Sequence, residues 1–286
     1  MIQNLFLALL TLPTAIAISH SVQAQQTVDL SSPIQNGSTT RFLDLVRKVM
    51  PDAGADATAQ NTIPLRSIVA PREKEPITGP IKFEFEPHWF NSEGKRLLML
   101  RLDLTADDAN QGTPYEGEAV VLAAFAAEPT VTLLDALEIK TDRFTGFWND
   151  QPLFHLDAKN DAFIVYSTHW NAGESYSRLD LLFVDAGRLK SITNQFLFET
   201  QGCGATFTET PSFRAIAVSG RKYPDVAVRV KLTKKPDESS CPKQTCGYTR
   251  YYEGLYHWSP RKRRYEGGSR QLDTLARFNY RRISSP

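Results

Sequence analysis

Reactive and metal-binding side chains are scarce in this sequence. Its 286 residues include 3 cysteines and 5 histidines. The cysteines form no C-x-x-C pair, and no H-x₃₋₅-H accompanies them, which excludes a zinc finger. The G-x-S-x-G elbow, the G-x-x-x-x-G-K-[ST] loop, the G-x-G-x-x-G turn and H-E-x-x-H are all missing. No motif-bearing hydrolase, nucleotide-binding or metalloprotease class is therefore indicated, and no cofactor, catalytic residue or metal site is assigned. Net charge is missing too: 33 Lys+Arg face 32 Asp+Glu. Global charge thus does not mark a nucleic-acid binder. With 41% apolar and 23% charged residues, the chain is neither a disordered tail nor a fibrous repeat. After the N-terminus, no run approaches the about 18 apolar residues that a membrane helix needs.

The N-terminus reads as a secretory signal over residues 1–24. Leu5 to Leu12 form a short apolar run, and the small-residue site Val22-Gln23-Ala24 follows. No Lys or Arg precedes the run, a departure from the usual pattern. The mature chain is expected to start near Gln25, to be periplasmic or extracellular, and to lack a transmembrane segment. Export implies an oxidising compartment. Cys203, Cys241 and Cys246 then predict one disulfide and one free thiol. Cys203 paired with Cys241 or Cys246 would close a loop of about 40 residues, stabilising by about 3–4 kcal/mol. A local Cys241–Cys246 bridge is the rival.

Residues 25–80 read as a polar leader, one helix and an extended strap. Phe42, Leu43, Leu45, Val46, Val49 and Met50 repeat at helical spacing. Thr39 or Thr40 is the expected cap and Pro51 the stop. The proline-rich stretch that follows has Ile63, Leu65, Ile68 and Val69 as its anchors.

From Ile81 onward, short apolar runs broken by Gly, Pro, Asp and Asn predict an all-β domain. The runs fall into three units of four strands, at 81–142, 143–200 and 201–286. Their second strands begin at Leu97, Ala162 and Val226. Tandem four-stranded units predict propeller-like blades, with a β-sandwich as the alternative. The last strand of the third unit is expected at Arg264–Leu275.

One segment carries a family likeness. Lys222-Tyr-Pro-Asp225-Val-Ala-Val-Arg-Val230 resembles the strand-opening turn of FG-GAP/VCBS-type β-propeller repeats. That resemblance implies a propeller blade. The family's calcium-binding Asp positions are occupied here by Ala217-Val-Ser-Gly-Arg-Lys222, so the resemblance implies no calcium site.

Three His-Trp pairs, His88-Trp89, His169-Trp170 and His257-Trp258, sit at different places in their units. They read as core tryptophans with strand-end histidines rather than as a three-histidine metal site. His155 reads as a satisfied strand residue. Asp103, Asp107 and Asp108 form one acidic group, and Asp157 and Asp161 another. Paired carboxylates of this kind support glycoside hydrolysis when a cleft sets them about 5–10 Å apart. Asp107-Asp108-Ala-Asn110-Gln-Gly112 reads as turn chemistry.

Charge is unevenly placed. Residues 81–200 hold 10 Lys+Arg against 19 Asp+Glu, and residues 201–286 hold 17 against 7. The densest basic run is Arg261-Lys262-Arg263-Arg264, near Tyr252, Tyr256 and Tyr265. Arginine beside aromatic rings is the composition of binding hot spots. The run is predicted to be a surface tip whose charge reversal leaves stability nearly unchanged. Two function classes follow. One is an exported, non-catalytic binding or inhibitor module presenting this basic-aromatic surface to an acidic protein or anionic glycan. The other is an envelope or extracellular hydrolase working through paired carboxylates.

Overall fold

The computed structural model describes residues 29–68, 73–106, 118–139, 144–148, 152–171, 174–202, 205–236 and 247–283. The expected signal segment, the Asp107–Gly112 turn, Val69 and all three cysteines lie outside the described residues.

The fold is mostly β, as the short alternating runs predict. The described chain runs through α1 (Phe42–Val46), β1 (Thr58–Asn61), β2 (Leu65–Ser67), β3 (Glu73–Lys74), β4 (Thr78–Ser92), β5 (Lys95–Ala106), β6 (Glu118–Ala126) and β7 (Thr132–Ile139). It continues through β8 (Phe144–Phe147), β9 (Leu153–Asp157), β10 (Asn160–Asn171), β11 (Glu174–Asp185), β12 (Arg188–Gly202), β13 (Ala205–Ile216), β14 (Asp225–Pro236), β15 (Tyr248–Ser259), β16 (Arg264–Gly268) and α2 (Arg270–Ile283).

These strands form two sheets rather than three four-stranded blades. The first has seven strands in the order β1-β4-β5-β6-β7-β2-β3. The second has nine in its sheet, β16-β15-β14-β13-β12-β11-β10-β8 along the main path, with β9 pairing β10. The expected second and third units are continuous because the β12–β13 hairpin keeps its ladder: Thr200, Gln201 and Gly202 pair with Phe207, Thr206 and Ala205. A blade boundary needs that ladder to be broken.

The strap builds both margins of the first sheet. β1 pairs β4 antiparallel, while β2 pairs β7 in parallel. Strands lie about 4.8 Å apart, so a flat sheet would separate β1 and β2 by roughly 24 Å. The chain from Asn61 to Leu65 can span only about 14 Å. The sheet must therefore curl. Its concave side is filled by Leu45, Val46, Val49 and Met50, all fully buried against Leu98, Leu100, Leu102, Val121 and Phe125. Regular helix is shorter than the apolar spacing suggests. It begins at Phe42 without a threonine cap. Instead, the Arg41 N–H donates to Asp44 Oδ2 at 2.8 Å.

β5 is buried on both faces. Leu97 and Met99 turn away from α1 and meet Phe163, Val165, Leu182 and Val184 of the second sheet. Asp135 reinforces this contact, accepting from the Leu189 N–H at 2.7 Å and from Arg66. The second sheet folds over at the β12–β13 hairpin. Its two arms enclose Ile164, Leu181, Phe183, Val226, Val228, Val230 and Trp258.

α2 replaces the second half of the strand expected at Arg264–Leu275. Gly267 and Gly268 have φ of +133° and +119°, a region open to glycine and hostile to side chains. Ser269 then caps the helix, its Oγ accepting from the Leu272 N–H at 3.2 Å. Leu272 and Leu275 enter the core between the arms. Helical spacing thus overrides the strand reading.

Candidate functional site

The basic run lies in the turn between β15 and β16 and its first paired residue. Most of its charge is already engaged. Lys262 Nζ and Arg264 Nη2 lie 2.6 and 3.2 Å from Glu266 Oε1. Arg263 Nη2 lies 3.0 Å from Asp185 Oδ2, and its carbonyl accepts from Lys190 Nζ at 2.7 Å. Arg261 has no ion-pair partner among the described residues. Tyr265 is buried, its hydroxyl donating to the Pro224 carbonyl at 2.8 Å. Tyr256 Oη accepts from Gln195 Nε2 at 3.0 Å, and Tyr252 packs against the core. The three tyrosines therefore point inward: Tyr252 and Tyr256 because even positions of β15 face the core, and Tyr265 because it pairs with the buried Trp258 across the β15–β16 ladder. The basic tip and the aromatic rings do not form one surface.

What the tip does build is a junction between hairpin ends. The Asp185 carboxylate is fully buried and receives Lys222 Nζ at 2.7 Å and Tyr223 Oη at 3.0 Å on Oδ1. It receives Lys190 Nζ at 2.7 Å and Arg263 on Oδ2. Glu93, from the β4–β5 turn, also meets Lys222 at 2.7 Å and Tyr223 at 3.1 Å. Burial alone would raise the Asp185 pKa. Hydrogen bonds from Lys190, Lys222, Tyr223 and Arg263 outweigh it and hold the carboxyl well below the usual range. The Lys222 bond likewise lowers Glu93. The Lys222–Val230 segment thus enters β14 with Tyr223 pinned under this cluster.

The outer face of β13, β14 and β15 has a different character. Burial alternates along β14, with Val226, Val228, Val230 and Leu232 inward. Arg229, Lys231 and Lys235 face out on the same strand, and Arg214 faces out on β13 beside Ala227. Glu253 sits opposite Arg229, with Oε1 2.5 Å from Nε. Arg214, Lys231 and Lys235 have no ion-pair partner among the described residues. Tyr251, directly opposite Lys231, is 56% exposed, and Arg229 lies 5.6 Å from its ring centroid. A groove of about 660 Å³ runs across this face, lined by Ser212, Arg214, Ile216, Arg229, Leu255 and Ser269. The charge asymmetry of residues 201–286 is thus displayed here, one strand away from the densest run. Alternating Lys and Arg in Val228-Arg-Val-Lys-Leu is the sequence signal that points to it.

The acidic candidates scatter. Asp103 is clamped by Arg101, whose Nη1 also reaches Glu86 at 2.8 Å. Burial raises Asp103, while the His88 hydrogen bond lowers Glu86. Asp161 is buried elsewhere, accepting from Asn91 N–H at 2.7 Å with Oδ2 and meeting His155 Nδ1 at 2.6 Å with Oδ1. Asp157 caps the β9–β10 turn through the Lys159 N–H at 2.7 Å. The His-Trp pairs also stay apart. His88 bonds Glu86, His169 stacks on Tyr176, and His257 lies on β15. Trp258 is core, but Trp170 is 48% exposed, contrary to the core reading, because β10 runs past the end of the packed interior. Among the described residues, no group of three or more His, Cys, Asp and Glu is arranged to hold a metal ion, and no helix is long and apolar enough to cross a membrane.

No family model, no curated protein and no solved structure matches this chain.

Proposed function

We propose that this protein is a non-catalytic binding module that captures an extended anionic polymer, an acidic glycan above all, on the outer face of β13–β15. The observation that supports this is the row Arg229, Lys231 and Lys235 along one strand, with Arg214 beside it. Alternate residues on a strand are about 6.7 Å apart, so the row spans roughly 20 Å. A repeating carboxylate or sulfate chain can follow such a row, whereas a small anion engages only one of its cations at a time. Tyr251 adds a flat apolar surface between the cations. Arg229 is held by Glu253, whereas Arg214, Lys231 and Lys235 gain nothing for the fold as like-charged neighbours, and each adds attraction within a Debye length of about 8 Å. The N-terminal apolar run and Val22-Gln23-Ala24 site support an exported setting, periplasmic or extracellular, where acidic glycans are encountered.

Retention on immobilised polygalacturonate tests the reading, with dextran as the neutral control. Wild type is expected to bind the acidic resin at low salt and elute as salt rises. Passage through polygalacturonate without retardation, or equal retention on dextran, refutes it. Retention on immobilised polyglutamate but not on polygalacturonate would assign the face to an acidic protein instead.

A further inference from the structure

A second site lies on the opposite side of this sheet, where its two arms separate. β12 and β13 pair only from Thr200 to Gly202. Beyond that point, the Glu209 carboxylate accepts the Phe198 N–H at 3.1 Å and the Asn279 Nδ2–H at 2.9 Å, standing in for the lost ladder. The divergence leaves a cleft of about 290 Å³. Its walls include Trp148, Tyr166, Thr168, Ser175, Ser177 and Glu199.

Two features of these walls point to a ligand. The Tyr166 hydroxyl and the Trp148 indole N–H line the cleft on half-buried side chains and make no hydrogen bond to another described residue, so both polar groups are open to a ligand. The cleft also continues onto an aromatic platform. Trp170 stands opposite Ser175, and Phe144 stands opposite Thr168. Their rings are parallel, with centroids 4.5 Å apart and an interplanar angle of 4°. Trp170 remains 48% exposed and Phe144 44% exposed. Each ring covers one face of the other, so the exposed area is the opposite face and the edge. The stacking stabilises the pair but leaves its outer faces in water beside a polar cleft, where they offer a flat contact surface.

We infer that this cleft and platform bind a neutral saccharide. A pyranose ring carries axial C–H groups on one face and hydroxyls around its edge. The C–H face suits the negative face of Trp170. The hydroxyls suit the Tyr166 hydroxyl, the Trp148 N–H, Ser175 and the Glu199 carboxylate, which accepts from hydroxyl donors. An apolar peptide would leave these groups unpaired at a cost. A nucleotide or acidic sugar would set its charge against Glu199. The site is independent of the basic face and does not rest on the reading given to it.

Titration with maltohexaose, cellohexaose and chitohexaose, followed by tryptophan fluorescence and by saturation-transfer NMR, tests this. At least one oligosaccharide is expected to bind. Trp170→Ala should weaken it roughly tenfold, and Tyr166→Phe should weaken it further while retaining the wild-type melting temperature. Arg214→Glu with Lys231→Glu should leave this binding unchanged, whatever those substitutions do to polygalacturonate retention. Absence of binding to all three oligosaccharides overturns the inference. So does full affinity in both the Trp170→Ala and Tyr166→Phe variants, or saturable binding of tetramethylammonium with none of the sugars.

Discussion

Arg263 Nη2 lies 3.0 Å from Asp185 Oδ2, across 78 positions of sequence. This contact turns a run of cations from a free surface tip into part of the frame that holds β16 against β11 and β12. Asp185 has no accessible surface. Asp185→Asn removes the one buried anion shared by Lys190, Lys222 and Arg263. It should cost about 3 kcal/mol and lower Tm by roughly 6–12 °C. Arg263→Glu should also lower Tm, whereas Arg261→Glu should leave it within a degree or so of wild type. Thermal melts of the three variants check this, and an unshifted Asp185→Asn melt would contradict it.

The same junction makes stability acid-sensitive. Asp185 and Glu93 have folded pKa values below their ordinary values. Their contribution is present above the unfolded carboxylate range, near pH 4, and is lost as pH falls toward the folded values. Burial raises Asp103 and Asp180, so these two act in the opposite direction over the same acid range. Comparison with Asp185→Asn isolates the junction. Wild-type Tm should fall more steeply between pH 5 and pH 3 than the variant's. Parallel curves would show that the junction contributes no linkage.

The start of α2 is set by one hydroxyl. Ser269→Ala removes the acceptor for the Leu272 N–H and should cost about 1 kcal/mol. Leu275→Ala, which opens the core between the arms, should cost about 2–5 kcal/mol. Urea titrations give both values. A Leu275→Ala midpoint equal to wild type would mean that α2 is not part of the cooperative core.

Much of the architecture is legible in local pattern. The apolar runs that begin at Leu97 and Ala162 are continuous, and both sheets bury them on two faces, whereas the run that begins at Val226 alternates and turns Arg229 and Lys231 outward. Sheet membership is not local. Whether β12 and β13 share a ladder depends on three residue pairs at a hairpin root, and no composition signal distinguishes that root from a blade boundary. The closure of the first sheet is likewise a matter of chain reach between Asn61 and Leu65. α2 is legible in Gly-Gly-Ser followed by Leu272 and Leu275 at helical spacing, a local cue that the expectation of a fourth strand in the third unit overrides. For the candidate surfaces, clustering in sequence misleads. Arg261–Arg264 are adjacent and mostly spent on Glu266 and Asp185. Arg214, Lys231 and Lys235 are dispersed, and only strand pairing brings them onto one face.

The most direct test of the binding account compares two sets of charge reversals on immobilised polygalacturonate. One set is Arg214→Glu, Lys231→Glu and Lys235→Glu on the outer face of β13–β14. The other is Arg261→Glu with Lys262→Glu at the β15–β16 tip. Each set is accompanied by a thermal melt and by elution at rising salt. The account predicts that the face variant loses retention at an unchanged Tm, while the tip variant elutes close to wild type. Loss of retention in the tip variant, with the face variant eluting as wild type, would contradict it.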